Sequence, residues 1–169
     1  LGILNSGDHL ITSSYEHPAI LNIAQILEKK DVEVTYIKPD VNGIINPGAI
    51  KSAIKPNTKI ISIMYINNEL GTENPITQIS DISNRNGIVF HTDAVQYVGK
   101  KPLDLNSTNI DMLSLSAHKF YGPKGVGALY VKDGINLTPI IYGGGQEKNL
   151  SPGTENLVAI HGMAIALKK

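Results

Sequence analysis

Apolar positions along the chain keep two alternating rhythms. His9-Leu-Ile-Thr-Ser13 and Glu33-Val-Thr-Tyr-Ile37 are short strand-like runs. Lys59 to Ile66 is almost continuously apolar, as a strand buried on both faces should be, and Gly87 to Asp93 reads as another buried strand. Ile110 to Leu115 reads as the end of another buried strand, and Gly127-Ala-Leu-Tyr-Val131 can return beside it as an antiparallel neighbour. Between these runs the period changes. Ile20, Ile23, Ala24 and Leu27 repeat at helical spacing after Pro18, which suits a first helical turn. Pro47 to Lys55, the Ile76–Ile79–Ile82 series and Leu157 to Leu167 supply further helices. Asp40-Val-Asn-Gly43, Asn67-Asn-Glu-Leu-Gly71, Asn86-Gly87 and Gly143-Gly-Gly145 punctuate them. Strands alternating with helices predict an α/β fold with a mostly parallel, mixed sheet flanked by helices.

Composition narrows the picture. The 169 residues carry 15 basic and 15 acidic side chains, so nothing in the charge argues for nucleic acid or an anionic membrane surface. No apolar run reaches the length of a membrane span. Cysteine is absent, which removes disulfides, thiolate metal sites and a cysteine nucleophile from these residues. The chain starts almost directly in a strand pattern and stops inside a helical one, so it is expected to be a piece of a longer protein.

In parallel sheets, ligands gather beyond the carboxyl ends of the strands. The polar residues that stand out here all follow apolar strands: Glu16–His17, Asn67–Asn68, Asp93 with Gln96, and Ser116 with His118 and Lys119. That shared position points to one composite site. Lys119, placed straight after a strand and before a glycine-rich turn, is a candidate amine nucleophile, activated by desolvation or a neighbouring cation. The commonest use of such an amine is a Schiff base with pyridoxal phosphate; the other reading is an exposed lysine at the mouth of a loop.

The remaining candidates each carry two readings. Asp93 and Gln96 fit a capping box or a carboxylate paired with a protonated ring nitrogen. His17 opens a helix or stacks on an aromatic cofactor. Asn68 is suited to turn amides, and Thr154 to capping the last helix. His91 and Asp93 alternate onto one face, but the five histidines show no other ligand spacing, and no metal site is expected. Gly122-Pro-Lys-Gly125-Val-Gly127 is followed by a strand rather than a helix, so it matches neither the P-loop nor the dinucleotide fingerprint. Without a Gly-x-Ser-x-Gly elbow a serine hydrolase is not expected.

Taken together, Glu16-His17, Asn67-Asn68-Glu69-x-Gly71, His91-x-Asp93-Ala94-x-Gln96 and Ser116-x-His118-Lys119-x-Tyr-Gly122-Pro-Lys124-Gly125 closely resemble the cysteine desulfurases. These are class V members of the fold-type I pyridoxal-phosphate enzymes. Gly143-Gly-Gly-Gln-Glu147 followed by Gly153-Thr154-Glu-Asn156 points more specifically to the desulfurase group. The resemblance implies that Lys119 carries pyridoxal 5'-phosphate as a Schiff base and that Asp93 pairs with its pyridine nitrogen. His17 would stack on the ring and help in proton transfer, with Asn68 and Gln96 near the phenolic oxygen. Ser116 and His118 would hold the phosphate, joined by Thr154 from the other subunit of a homodimer. The implied reaction removes sulfur from L-cysteine, leaving alanine and a protein persulfide. That sulfur would pass to an acceptor, such as an iron–sulfur scaffold, or serve tRNA thiolation.

Three departures shape the expectation. The family's phosphate-binding Gly-Ala-Thr turn precedes the strand at which this chain begins. Its persulfide cysteine and its substrate-carboxylate arginine lie in a C-terminal part not contained here. Where the family commonly has Arg-x-x-Arg-Ser-Gly-Thr, this chain reads Lys148-Asn-Leu-Ser151-Pro152-Gly153-Thr154, without a bidentate arginine donor. Residues 1–169 are therefore expected to form part of the cofactor-binding large domain of a cytoplasmic or organellar-matrix enzyme, inactive alone. The alternatives are another class V enzyme, such as a selenocysteine lyase or an aminotransferase, and a non-catalytic fragment of the same fold.

Overall fold

A computed structural model describes residues 1–168. Six strands form one sheet in the order β2-β1-β3-β4-β5-β6: β1 (His9–Ser13), β2 (Glu33–Ile37), β3 (Thr58–Ser62), β4 (Val89–Asp93), β5 (Met112–Ser116) and β6 (Gly127–Val131). The first five are mutually parallel, and β6 alone runs antiparallel, against β5. The expected mixed, mostly parallel sheet is what forms, and the predicted Gly127–Val131 return strand keeps its bounds.

Helices α1 (Pro18–Glu28), α2 (Pro47–Ala53), α3 (Ile76–Arg85) and α5 (Leu157–Leu167) flank the sheet. Local chemistry explains where they start. Pro18 and Pro47 sit at first helical positions, where the missing N–H costs no hydrogen bond. Asn46 Oδ1 accepts from the Gly48 amide at 2.7 Å. Asn156 Oδ1 accepts from the Ala159 amide at 3.1 Å, so Asn156, not Thr154, caps the final helix.

Alternation along the strands divides the core in two. Ile11, Ile61, Phe90 and Leu113 pack with Ile50, Ile76 and Ile79 of α2 and α3 in the larger cluster. Leu10 and Ile60 meet Ala24 and Leu27 of α1 in the smaller one. The Lys59–Ile66 strand is shorter than predicted, ending at Ser62. Beyond it the chain stays extended beside β4, with Ile63 N–H donating to His91 O and Tyr65 N–H to Asp93 O, but it leaves β1. Between Gly143 and Gly153 the chain makes only a single turn, α4 (Gln146–Asn149). Glu147 and Lys148 there have left-handed backbone angles, which non-glycine residues rarely adopt.

Candidate active site at the carboxyl edge of the sheet

Because β1, β3, β4 and β5 run parallel, the residues that follow them emerge along one edge. His17, Asn68, Asp93, Gln96, Ser116, His118 and Lys119 are thus brought to the same side by the topology itself. The strand-end polar residues read from the sequence therefore share one edge of the sheet. Thr154 stands apart: it is exposed, in the loop before α5, and no strand end delivers it.

The β1 end enters α1 through His17, whose Nδ1 accepts from the Ala19 amide at 3.1 Å. An accepting Nδ1 carries no proton, so in the neutral ring the proton lies on Nε2. The ring caps the helix entry, as the first reading of His17 has it, and it is exposed, with its charge felt by the Asp93 carboxylate. Asp93 itself is pushed above the usual carboxylate range by burial, with the Val95 amide and the His17 charge acting the other way. Its Oδ1 accepts from Val95 N–H at 2.9 Å, while Gln96 Oε1 accepts from the Lys100 amine at 2.6 Å. The reciprocal capping box therefore does not form. Lys100 holds the Gln96 carbonyl, and the amide nitrogen of Gln96 remains as a donor.

After β3 the two asparagines divide their work. Asn67 Oδ1 accepts from the Glu69 and Leu70 amides at 2.9 and 2.8 Å, closing the turn that sequence reasoning had offered to Asn68. Asn68 is exposed. After β5 the chain enters a 3₁₀ turn, Ala117–Phe120, in which Ser116 Oγ and His118 Nδ1 are 2.9 Å apart. Lys119 lies on this turn and is exposed, so of its two readings the loop-mouth lysine describes its surroundings. Helix α5 packs against this turn, while the Lys119 side chain itself is exposed.

The glycine-rich segment behind Lys119 shapes that turn rather than cradling a phosphate on a helix. Ala117 N–H donates to Val126 O and Ser116 pairs with Gly127, so residues 117–126 close the β5–β6 hairpin. A Cβ on Gly127 would lie 2.6 Å from Leu115 O, which explains the glycine there. His91 is not turned toward a metal with Asp93. Its two ring nitrogens lie 2.8 Å from Ser62 Oγ and 2.9 Å from Ser114 Oγ, and burial lowers its pKa to about 4. Sequence reasoning did not foresee this buried imidazole, held across three strands. The signal was available, since Ser62, His91 and Ser114 all occur in strand runs where polar residues are otherwise scarce.

The parallel strand ends of this α/β sheet present one amine, one carboxylate, an imidazole and a hydroxyl–imidazole pair along one edge. Residues 1–168 match the family model described as "Aminotransferase class-V", and the chain belongs to that family, whose members depend on pyridoxal phosphate. It is 49% identical over 162 residues to the cysteine desulfurase IscS of Dictyoglomus turgidum, covering 96% of this chain and 41% of that protein. A solved structure described as "SspA in complex with cysteine" is 48% identical with a TM-score of 0.93, over 95% of this chain and 47% of that one. DndA from Streptomyces lividans superposes with a TM-score of 0.90 at 38% identity, over 95% of this chain and 46% of the other. The chain thus spans about two fifths of the curated relatives it matches. The donor set suits the cofactor: a carboxylate at the end of β4 stands on the same edge as the amine and the hydroxyl–imidazole pair that follow β5.

Proposed function

We propose that these residues form the cofactor-binding part of the large domain of a cysteine desulfurase. The observation that carries the reading is the convergence of Lys119, Asp93, His17 and the Ser116–His118 pair on one edge, in a chain 48% identical to a protein solved with cysteine. Lys119 holds the cofactor through its amine. Bound there, pyridoxal phosphate supplies an electron sink for bond cleavage in an amino acid.

The chain's own groups set up that chemistry. Asp93, with Oδ1 on the Val95 amide, would hold a ring N–H⁺ through Oδ2, and that positive charge would offset the cost of burying the carboxylate. His17 would stack on the ring, and its exchangeable proton lies at Nε2 because Nδ1 is engaged by Ala19 N–H. Gln96, whose carbonyl is taken by Lys100, and Asn68 would offer amide donors to the cofactor. When His118 Nδ1–H donates to Ser116 Oγ, the serine hydroxyl proton is free for a phosphate oxygen. L-cysteine is the proposed substrate. Since the 169 residues contain no cysteine, the sulfur-accepting thiol comes from outside them, and an iron–sulfur scaffold is the proposed final acceptor. A homodimer would bring Thr154 to the partner's phosphate; its exposure before α5, whose outer face is apolar, supports that arrangement.

The test is a visible absorption spectrum of the full-length polypeptide with added pyridoxal phosphate, beside Lys119→Ala. A yellow band that borohydride fixes to Lys119 and that is lost in the variant is the expected result, with sulfide released from cysteine by the wild type alone. Cofactor held equally by the variant would overturn the assignment.

A further inference from the structure

The two polar pairs at the ends of β1 and β3 share a design. In Glu16–His17 and in Asn67–Asn68 the first residue is buried and the second exposed. The buried members fasten the two turns to each other. Met64 N–H, just after β3, donates to Glu16 Oε1 at 2.9 Å. Asn67 Nδ2 donates back to Tyr15 O at 2.9 Å. Ser13 Oγ, at the end of β1, donates to the same Glu16 oxygen at 2.5 Å. We propose that Glu16, with Asn67 as its reciprocal partner, is a positioning residue: their clasp sets His17 and Asn68, each the next residue in the chain, against the bound cofactor. The inference rests on the cofactor reading above.

The clasp has a chemical condition. Glu16 Oε2 is buried with no hydrogen-bond partner among the described residues, a costly place for a full negative charge. Burial accordingly raises the Glu16 carboxyl to about 7, opposed by the Ser13 and Met64 hydrogen bonds and reinforced by the charge of Asp93. The titratable groups facing it are Asp93 from β4 and the Tyr15 phenol of its own turn, which feels its charge. The neutral acid keeps Oε1 as an acceptor at no Coulombic cost. The carboxylate would repel Asp93 and loosen the turn that carries His17. Cofactor affinity is thereby tied to the proton on Glu16.

The experiment measures pyridoxal-phosphate affinity of the full-length polypeptide by absorbance at pH 6 and pH 8 for wild type, Glu16→Gln and Glu16→Ala. Amide exchange at Met64 is followed in the same samples. Glu16→Gln should match wild type at pH 6 and keep its affinity at pH 8, where the wild type weakens. Glu16→Ala should bind about tenfold or more weakly at both, with fast exchange at Met64. Wild-type affinity in Glu16→Ala overturns the proposal, as does a parallel loss with pH in wild type and Glu16→Gln. If the alanine variant does not fold, the pH comparison with glutamine still decides. Absence of binding in the wild type would sink the cofactor reading instead, and exchange at Met64 would then decide whether the clasp exists.

Discussion

At the ends of β1 and β3 the inward-facing polar side chains find partners within the fold. Asn67 uses both ends of its amide, and Glu16 binds the neighbouring strand end. Beyond β6 the chain behaves differently. Ile141, Tyr142, Leu157, Val158, Ile165 and Leu167 are all exposed, Val158 by 86%. Three consecutive residues, Glu147, Lys148 and Asn149, take left-handed backbone angles. A helix as uniformly apolar as Leu157–Leu167 is normally covered; here only one side is, by Met163 and Ala166 against the larger core. The contrast separates two kinds of contribution to the site. Donors delivered by strand ends are positioned by the parallel ladder of β1, β3, β4 and β5. Thr154 belongs to the second region, where the apolar surface asks for another partner.

The sharpest way to break this comparison is to remove equal aromatic volume from each region. Phe90, fully buried on β4, should cost about 3–5 kcal/mol as Phe90→Ala, read as a lower denaturation midpoint with an unchanged slope. Tyr142→Ala, at an 81% exposed position, should stay within about 0.5 kcal/mol. Comparable losses at the two positions would mean that the region after β6 is as well packed as the sheet.

A second prediction opposes two buried titrating groups within the well-packed region. Glu16 is raised from 4.5 to about 7, so the unfolded chain gives up that proton first. Stability falls as pH rises through this window, by about 2–3 kcal/mol between pH 5 and 8. His91 is lowered from 6.5 to about 4 by burial, so the unfolded chain takes up the proton first as pH falls. Its contribution is complete above about 6.5 and is lost toward pH 4, again by about 3 kcal/mol. Between about pH 4.5 and 6.5 the two slopes nearly cancel. Glu16→Gln should uncover the histidine slope, so that the variant gains stability from pH 5 to 6.5 where the wild type is flat. Urea midpoints across that range measure it, and identical profiles would refute the assignment of either group.

How much of this was legible beforehand follows the same division. The alternation of strand and helix periods carried the sheet, and the bounds of β6 and α5 needed no contact information, because turn residues and caps set them locally. The site's location was also legible, since polar residues after apolar strands must share an edge if the strands are parallel. Choices between polar partners were not. Gln96 fitted a capping box by spacing, yet Lys100 binds its carbonyl. Thr154 had the chemistry of a cap, but Asn156 takes the position. Asn67 rather than Asn68 closes the turn, and His91 finds serines on both adjacent strands. Each outcome depends on which donor arrives within about 3 Å, a long-range result of the fold that neighbouring residues do not encode. The exposure of Lys119 belongs here too: burial at that position depends on what lies over the edge, not on the strand before it.

The smallest expected effect on stability comes from Val158→Ser. The side chain is nearly fully exposed near the start of α5, so its removal takes little apolar surface out of the folded chain, and the midpoint should move by less than about 0.5 kcal/mol. Its effect on association should be larger. Leu157, Val158, Ile165 and Leu167 lie on one short helix, and burying them against a second copy would return about 25 cal/mol for each Å² of apolar surface covered. A serine there replaces part of that apolar contact with a hydroxyl that must be desolvated. Sedimentation of the full-length polypeptide should therefore show weaker self-association in Val158→Ser, with cofactor held less tightly once Thr154 no longer reaches the partner's phosphate. Unchanged association with unchanged stability would show that α5 is covered by some other part of the protein, and Thr154 would then lose its proposed role across the subunit interface.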